Sequence, residues 1–189
     1  CAELEAKATA ADAAKAEKQK LVGELLVILA LPSALPVATG GIAHAMSIPI
    51  IILAITGLLF DSALSKKSRV MAARDKVLSF QKLREFHDKI WHHAGRFSRA
   101  RLAFLFDNIA FRAVTALFIV VCAICFWTII PVADTPPSVA VMLFGFSLVY
   151  RDIAVWALAV VLGVIGIAIN VGTLAFLATK LFEWLQAVL

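Results

Sequence analysis

Two stretches decide how this chain folds: residues 47–60, SIPIIILAITGLLF, and residues 135–152, TPPSVAVMLFGFSLVYRD. Each opens on a small hydroxyl residue and a proline, Ser47 with Pro49 and Thr135 with Pro137, and each carries a glycine eight residues beyond that proline, Gly57 and Gly145. Proline suits the first turn of a helix, where the N–H it lacks has no intrahelical partner in any case. A broken apolar segment precedes each stretch, LVGELLVILALP in one case and LFIVVCAICFWTIIP in the other. The pattern reads as a degenerate internal duplication of two proline-broken helical hairpins.

Composition sets the solvent. Apolar residues make up 62% of the 189 and charged residues 16%, and the mean hydropathy is +0.92. A soluble domain of this length cannot hide so much apolar surface, so lipid must solvate part of it. The apolar runs are long and lack period-two alternation, which argues against strands. The expected fold is an all-α integral membrane protein: two weakly related hairpin units, joined by amphipathic interfacial helices. If the units form an inverted repeat, their tips meet in a central site.

Residues 1–20 are alanine-rich with scattered charges, including Glu3 and Lys7 one turn apart. That favours a solvated N-terminal helix. A single membrane domain over 21–189 follows. Its first hairpin, 21–60, consists of an apolar run interrupted by Glu24 and ended by Pro32, a tip PSALPVATGGIAHAMS, and an apolar run to Phe60. Lysines flank both outer ends, so both lie on one side, and each arm is about half a bilayer long. A re-entrant hairpin fits this better than two short tilted spans, and its tip must be buried in protein or line a wet cavity. Residues 61–112 form an amphipathic segment, with Leu102, Leu105, Phe106 and Ile109 expected on one apolar face. In the second unit, 113–189, residues 113–130 are the best full span. Arg151-Asp152 then interrupts the apolar run, and a last helix carries Gly163, Gly166, Asn170 and Gly172, a set suited to close helix packing and to a homodimer.

Residues 61–112 hold twelve Lys and Arg against five Asp and Glu. Nucleic acid would also select a basic segment. One bracketed by membrane helices follows instead from the positive-inside rule, which places it in the cytoplasm against anionic headgroups. No nucleic-acid partner is expected. Cys122 and Cys125 share an apolar helix face and read as packing residues. Cys1 could be the lipid-bearing cysteine of a processed lipoprotein, but a processing start is the expectation.

The run LALPSALPVATGGIAHAMSIPIIILAITGLLF, a basic amphipathic middle, and IPVADTPPSVAVMLFGFSLVYRDIAVW together resemble the bacterial ExoD-like exopolysaccharide-synthesis membrane proteins. The positions that carry the resemblance are Pro32, Pro36, Gly41, Pro49, Pro137, Arg151 and Asp152. Departures are Ser47 in place of glycine, Thr56 in place of glutamine, and Ile153 after the Arg-Asp pair in place of glycine. The resemblance implies an inner-membrane protein linked to exopolysaccharide production, with that machinery among its partners, and to tolerance of alkaline conditions. It implies no reaction.

The candidate polar path comprises Arg151, Asp152, Asp134, Thr135, His44 and Ser47. The Arg-Asp pair has two readings: a charged pair beside a substrate or ion path, or a helix-to-helix corner with the arginine snorkelling and the aspartate capping the next helix. At the first tip, Ser33, Thr39, His44 and Ser47 lie near a helix N-terminus that attracts anions. His87, His92 and His93 lack metal-ligand spacing, so no metal is expected. Neither a G-x-S-x-G, a P-loop nor an H-E-x-x-H motif occurs, so neither an enzyme nor a cofactor is indicated. A membrane scaffold that binds lipid and partners is the first reading. A transporter or flippase moving an ion, lipid or polysaccharide precursor between the hairpins is the second.

Overall fold

The computed structural model describes residues 2–34, 42–59, 102–127 and 135–188. They form five α-helices and one 3-10 turn: α1 Ala2–Ala34, α2 Ile42–Leu58, the turn Ala103–Asp107, α3 Ile109–Cys125, α4 Thr135–Tyr150 and α5 Ile153–Val188. No strand occurs among the described residues. Residues 60–101, which hold most of the basic segment and its three histidines, lie outside the description, as do Cys1, Pro36, Thr39, Gly41 and Asp134.

The helices differ from expectation in ways the prolines explain. α1 runs unbroken from the alanine-rich segment into the apolar one and carries Pro32 inside its last turn. α2 begins at Ile42, so Ser47 and Pro49 sit inside the helix and do not start it. A proline there leaves the carbonyl four residues back without its usual donor, and the Ser47 hydroxyl bonds the neighbouring His44 carbonyl at 2.7 Å. α4 does start as expected, with Thr135, Pro136 and Pro137 in its first turn. Leu102, Leu105, Phe106 and Ile109 do not share one helix. Leu102 is left-handed at φ 54°, and Asn108 ends the turn and caps α3, its side chain accepting from the Ala110 N–H at 2.9 Å. α3 then ends at Cys125, short of the full span expected over 113–130.

The first four helices close a ring in which α1 packs on α2, α2 on α3, α3 on α4, and α4 back on α1. α5 lies outside it against α4 and α3. Contacts fix the direction of each helix. Gln19 of α1 reaches Phe106, just before α3; Arg151, just after α4, pairs with Asp107; and Gly57 near the end of α2 faces Val22. These outer ends form the base. At the other end, the tip, Trp127 after α3 bonds Ser47 of α2. Both hairpins therefore point the same way. Among the described residues the hairpins sit side by side along the bundle axis and run in the same direction, not in the opposite directions of an inverted repeat.

Two glycines let α1 and α4 touch backbone to backbone. A Cβ on Gly23 would lie 2.5 Å from the Gly145 carbonyl oxygen, and one on Gly145 would lie 2.6 Å from that of Gly23. Between base and tip the core is apolar: Leu26 and Ala30 of α1, Ile50 and Ala54 of α2, Ile119 and Cys122 of α3, Val141 and Phe144 of α4 are all fully buried. An aromatic series climbs through it, Phe106 to Phe111 at 5.1 Å, Phe111 to Trp156 at 4.8 Å and Phe144 to Trp156 at 6.3 Å between centroids.

Candidate functional site

Of the expected polar path, Asp134 lies outside the described residues, and the other five fall at opposite ends of the bundle. Arg151 and Asp152 lie at the base; His44, Ser47 and Thr135 lie at the tip. The 16 residues of α4 separate the two groups by about 24 Å at about 1.5 Å per residue. Fully buried apolar side chains fill the space between them.

At the base, Arg151 takes the left-handed conformation, φ 53°. That lets the Asp152 N–H bond back to the Ser147 carbonyl at 3.2 Å, closing α4 as glycine more often does. One residue on, the Asp152 carboxylate accepts from the Ala154 N–H at 2.9 Å and caps α5. The aspartate thus caps the next helix as in the corner reading, but the arginine does not snorkel. The Arg151 guanidinium pairs with Asp107, whose carbonyl accepts from Lys15 Nζ at 3.1 Å. The buried Gln19 amide donates to the Phe106 carbonyl at 2.6 Å. The turn before α3 is thus held by α1 on one side and by the α4–α5 corner on the other. Arg112 is also buried here, 1% exposed, and Glu24 is buried higher up, one residue past the Gly23–Gly145 contact. Glu24 had a signal, a lone charge in an apolar run. Gln19 and Arg112 had none, because a polar residue in a charge-rich segment reads as solvated.

At the tip, each helix of the ring supplies or borders a polar side chain. The Trp127 indole donates to the Ser47 hydroxyl at 2.9 Å and its ring lies 6.5 Å from that of His44. Three buried atoms here have no hydrogen-bond partner: Ser33 Oγ, His44 Nδ1 and Thr135 Oγ1. Ser33 and Thr135 each lie ten residues beyond the Gly23–Gly145 contact on antiparallel helices, which places them at one level of the α1–α4 seam. The anion site expected at the first tip does not start at Ser47, since α2 starts five residues earlier. At α4, Pro136 and Pro137 remove two of the four amides that an anion would use. Thr56, where the resemblance leads one to expect glutamine, turns its hydroxyl onto the Ile52 carbonyl of its own helix at 2.6 Å.

Of the α5 packing set, Gly163 faces Cys122 and Ala140, Gly166 faces Pro137, and Asn170 is buried. These three seat α5 on its own bundle. Gly172 alone faces open space. No group of three or more His, Cys, Asp or Glu suited to a metal ion occurs among the described residues.

Ring and outer helix define an all-α bundle with one helix, α5, long and apolar enough to cross a membrane. Residues 2–172 match the family described as exopolysaccharide synthesis, ExoD, and the chain belongs to that family. No curated protein and no solved structure matches it. Membership ties the chain to exopolysaccharide synthesis.

Proposed function

We propose that this protein is a multi-pass protein of the bacterial inner membrane that serves exopolysaccharide synthesis as a non-enzymatic scaffold, binding lipid and partner proteins. The observation that carries the reading is the distribution of apolar surface. Ile48, Ile52 and Ile55 of α2, Val114, Leu117 and Ile124 of α3, and Leu158, Val161, Ile165 and Ile169 of α5 are all exposed. Such surface on several helices belongs in lipid, whereas the ion pair between Arg151 and Asp107 lies at the base, away from those faces. Hydroxyls on exposed faces support this. Thr56, Thr173 and Thr179 each donate to a carbonyl of their own helix, which is how a hydroxyl is satisfied where water is absent.

The two hairpins are re-entrant and enter from the cytoplasmic side, where the basic segment 61–112 meets anionic headgroups. Their shared proline-to-glycine spacing is the mark of a duplication in parallel, not inverted, orientation. The mostly apolar middle favours a scaffold over a transporter, since the few polar side chains buried along it, Glu24, Thr115, Ser138 and Ser147, are a sparse lining for an ion. One observation favours transport: the unpartnered hydroxyls and imidazole at the tip are the lining that a site between hairpins needs.

Reconstitution into liposomes decides between them. The expected result is no ion flux, lipid scrambling or proton leak above protein-free vesicles. A flux lost in both Ser33→Ala and Thr135→Ala, but kept in Arg151→Ala, would overturn the scaffold and locate transport at the tip.

A further inference from the structure

The turn before α3 has an inside and an outside. Phe106 is fully buried, its ring meets Phe111 edge-on at 5.1 Å, and its carbonyl accepts from the Gln19 amide at 2.6 Å. Asp107 is held by Lys15 through its carbonyl and by Arg151 through its carboxylate. A turn fastened this firmly nonetheless leaves Leu102 51%, Phe104 67% and Ile109 57% exposed. Leu102 is presented from a left-handed backbone, φ 54°, which glycine adopts freely and a leucine adopts only with strain. In water, neither this leucine nor the bare phenylalanine would stabilise the folded chain.

Two observations identify the medium these side chains meet. The first is a change of character in α1 at the level of the turn. Lys15, Glu17, Lys18 and Lys20 lie within about a helical turn of the Gln19 bond, and the sequence then runs apolar from Leu21 to Leu31 with Glu24 its one charge. Asp107 and Arg151 share that level, while α4 before the corner and α5 after it are apolar. Charges from three separate parts of the chain thus gather at one height, as they do where a bundle leaves the hydrocarbon. The second is continuity. Ile109 opens the exposed stripe of α3 that runs on through Val114, Leu117 and Ile124, the face given to lipid above. Leu102 and Phe104 stand at the charged end of that stripe, where a side chain meets the boundary between headgroups and acyl chains.

Resting on the membrane reading above, we propose that the turn Ala103–Asp107 is an interfacial anchor whose Leu102 and Phe104 side chains enter the lipid just beneath the headgroups. Apolar faces that lie in this boundary reach about 5–10 Å into it, a depth within reach of a leucine and a phenylalanine on a turn at headgroup level. The surrounding charges, Lys15, Lys18, Lys20 and Arg151 against Glu17 and Asp107, lean positive and suit the phosphates at that height. In lipid the Leu102 side chain buries apolar surface that a glycine would lack. Because Gln19, Lys15 and Arg151 all hold the turn, its depth is also the depth of α1 and of the α4–α5 corner. A rigid anchor of this kind fixes how far the bundle sinks.

The test uses the full chain with Cys1, Cys122 and Cys125 replaced by alanine, in nanodiscs of phosphatidylcholine and phosphatidylglycerol. A nitroxide is attached at Phe104→Cys, at Glu17→Cys or at Leu117→Cys. Collisions with oxygen, which concentrates in lipid, and with a water-soluble nickel chelate report the depth of each label. The expected result is a Glu17→Cys label that meets nickel, a Leu117→Cys label that meets oxygen, and a Phe104→Cys label that favours oxygen but lies shallower than the one at 117. A label at 104 as open to nickel as the one at 17, or screened from both reagents by protein, overturns the anchor. If the label at 117 still meets oxygen, the membrane reading survives that failure. A label at 117 open to nickel ends both.

Discussion

Base and tip of the same bundle treat their polar groups differently: each polar side chain named at the base makes at least one bond, although Gln19 Oε1 and Arg151 Nε stay unbonded there too. At the base, Gln19, Lys15, Asp107, Arg151 and Asp152 are tied into bonds that fix the turn before α3 and the corner after α4. At the tip, Ser33, Thr135 and His44 keep buried atoms without a partner. A partnered group holds structure and its loss is felt; an unpartnered one already costs about 1–3 kcal/mol and its removal relieves that cost. The charged residues that stand out in the sequence, Arg151 and Asp152, are thus bonded at the corner, and the modest hydroxyls of Ser33 and Thr135 are not.

This contrast can be broken or sharpened by substitution, with unfolding followed in detergent or nanodiscs. The largest effect is expected where the two ends are joined. Gly145→Val would drive a side chain into the Gly23 carbonyl, and because backbone cannot yield as a side chain can, a loss of about 3 kcal/mol is expected, seen as little folded protein or a much lower Tm. Gly163→Ala, which meets Cys122 Sγ at 3.2 Å and Ala140 Cβ at 3.6 Å but no backbone atom, should fold nearly normally; equal damage from both would sink the idea of a backbone contact. Gln19→Ala removes a buried bond and strands the Phe106 carbonyl, for about 1–3 kcal/mol. Asp152→Ala removes the α5 cap, for about 1 kcal/mol. The smallest effects belong at the tip: Ser33→Ala and Thr135→Val should leave Tm unchanged or raise it, by no more than about 1 kcal/mol of stability. A tip substitution as damaging as Gln19→Ala would erase the distinction between the ends.

The sequence made the helices, the two tips and the Arg-Asp corner legible, because each depends on local signals: apolar runs, prolines and a capping aspartate. It misplaced the start of α2 because Ser47 and Pro49 look like a first turn, while nothing in IAHAM advertises one. It set Arg151 and His44 on one path because both are polar residues in apolar surroundings, and separation along a bundle axis is a tertiary fact. Gly57 and Gly145 look equivalent by spacing, yet one faces a valine side chain and the other a glycine backbone. Only the partner helix distinguishes them, and Gly23 lies more than a hundred residues before Gly145.

The meeting of Gly23 and Gly145 also determines how the bundle can move. Two backbones in contact at one point form a fulcrum, and any rocking of α4 against α1 must turn about it. Gly145 is six residues from the Arg151 corner and ten from Thr135, arms of about 9 Å and 15 Å. A pull on the corner therefore reaches the opposite end enlarged by about two-thirds and reversed in direction. The bundle thus carries a lever whose short arm ends at the Arg151 corner and whose long arm ends among the unbonded hydroxyls.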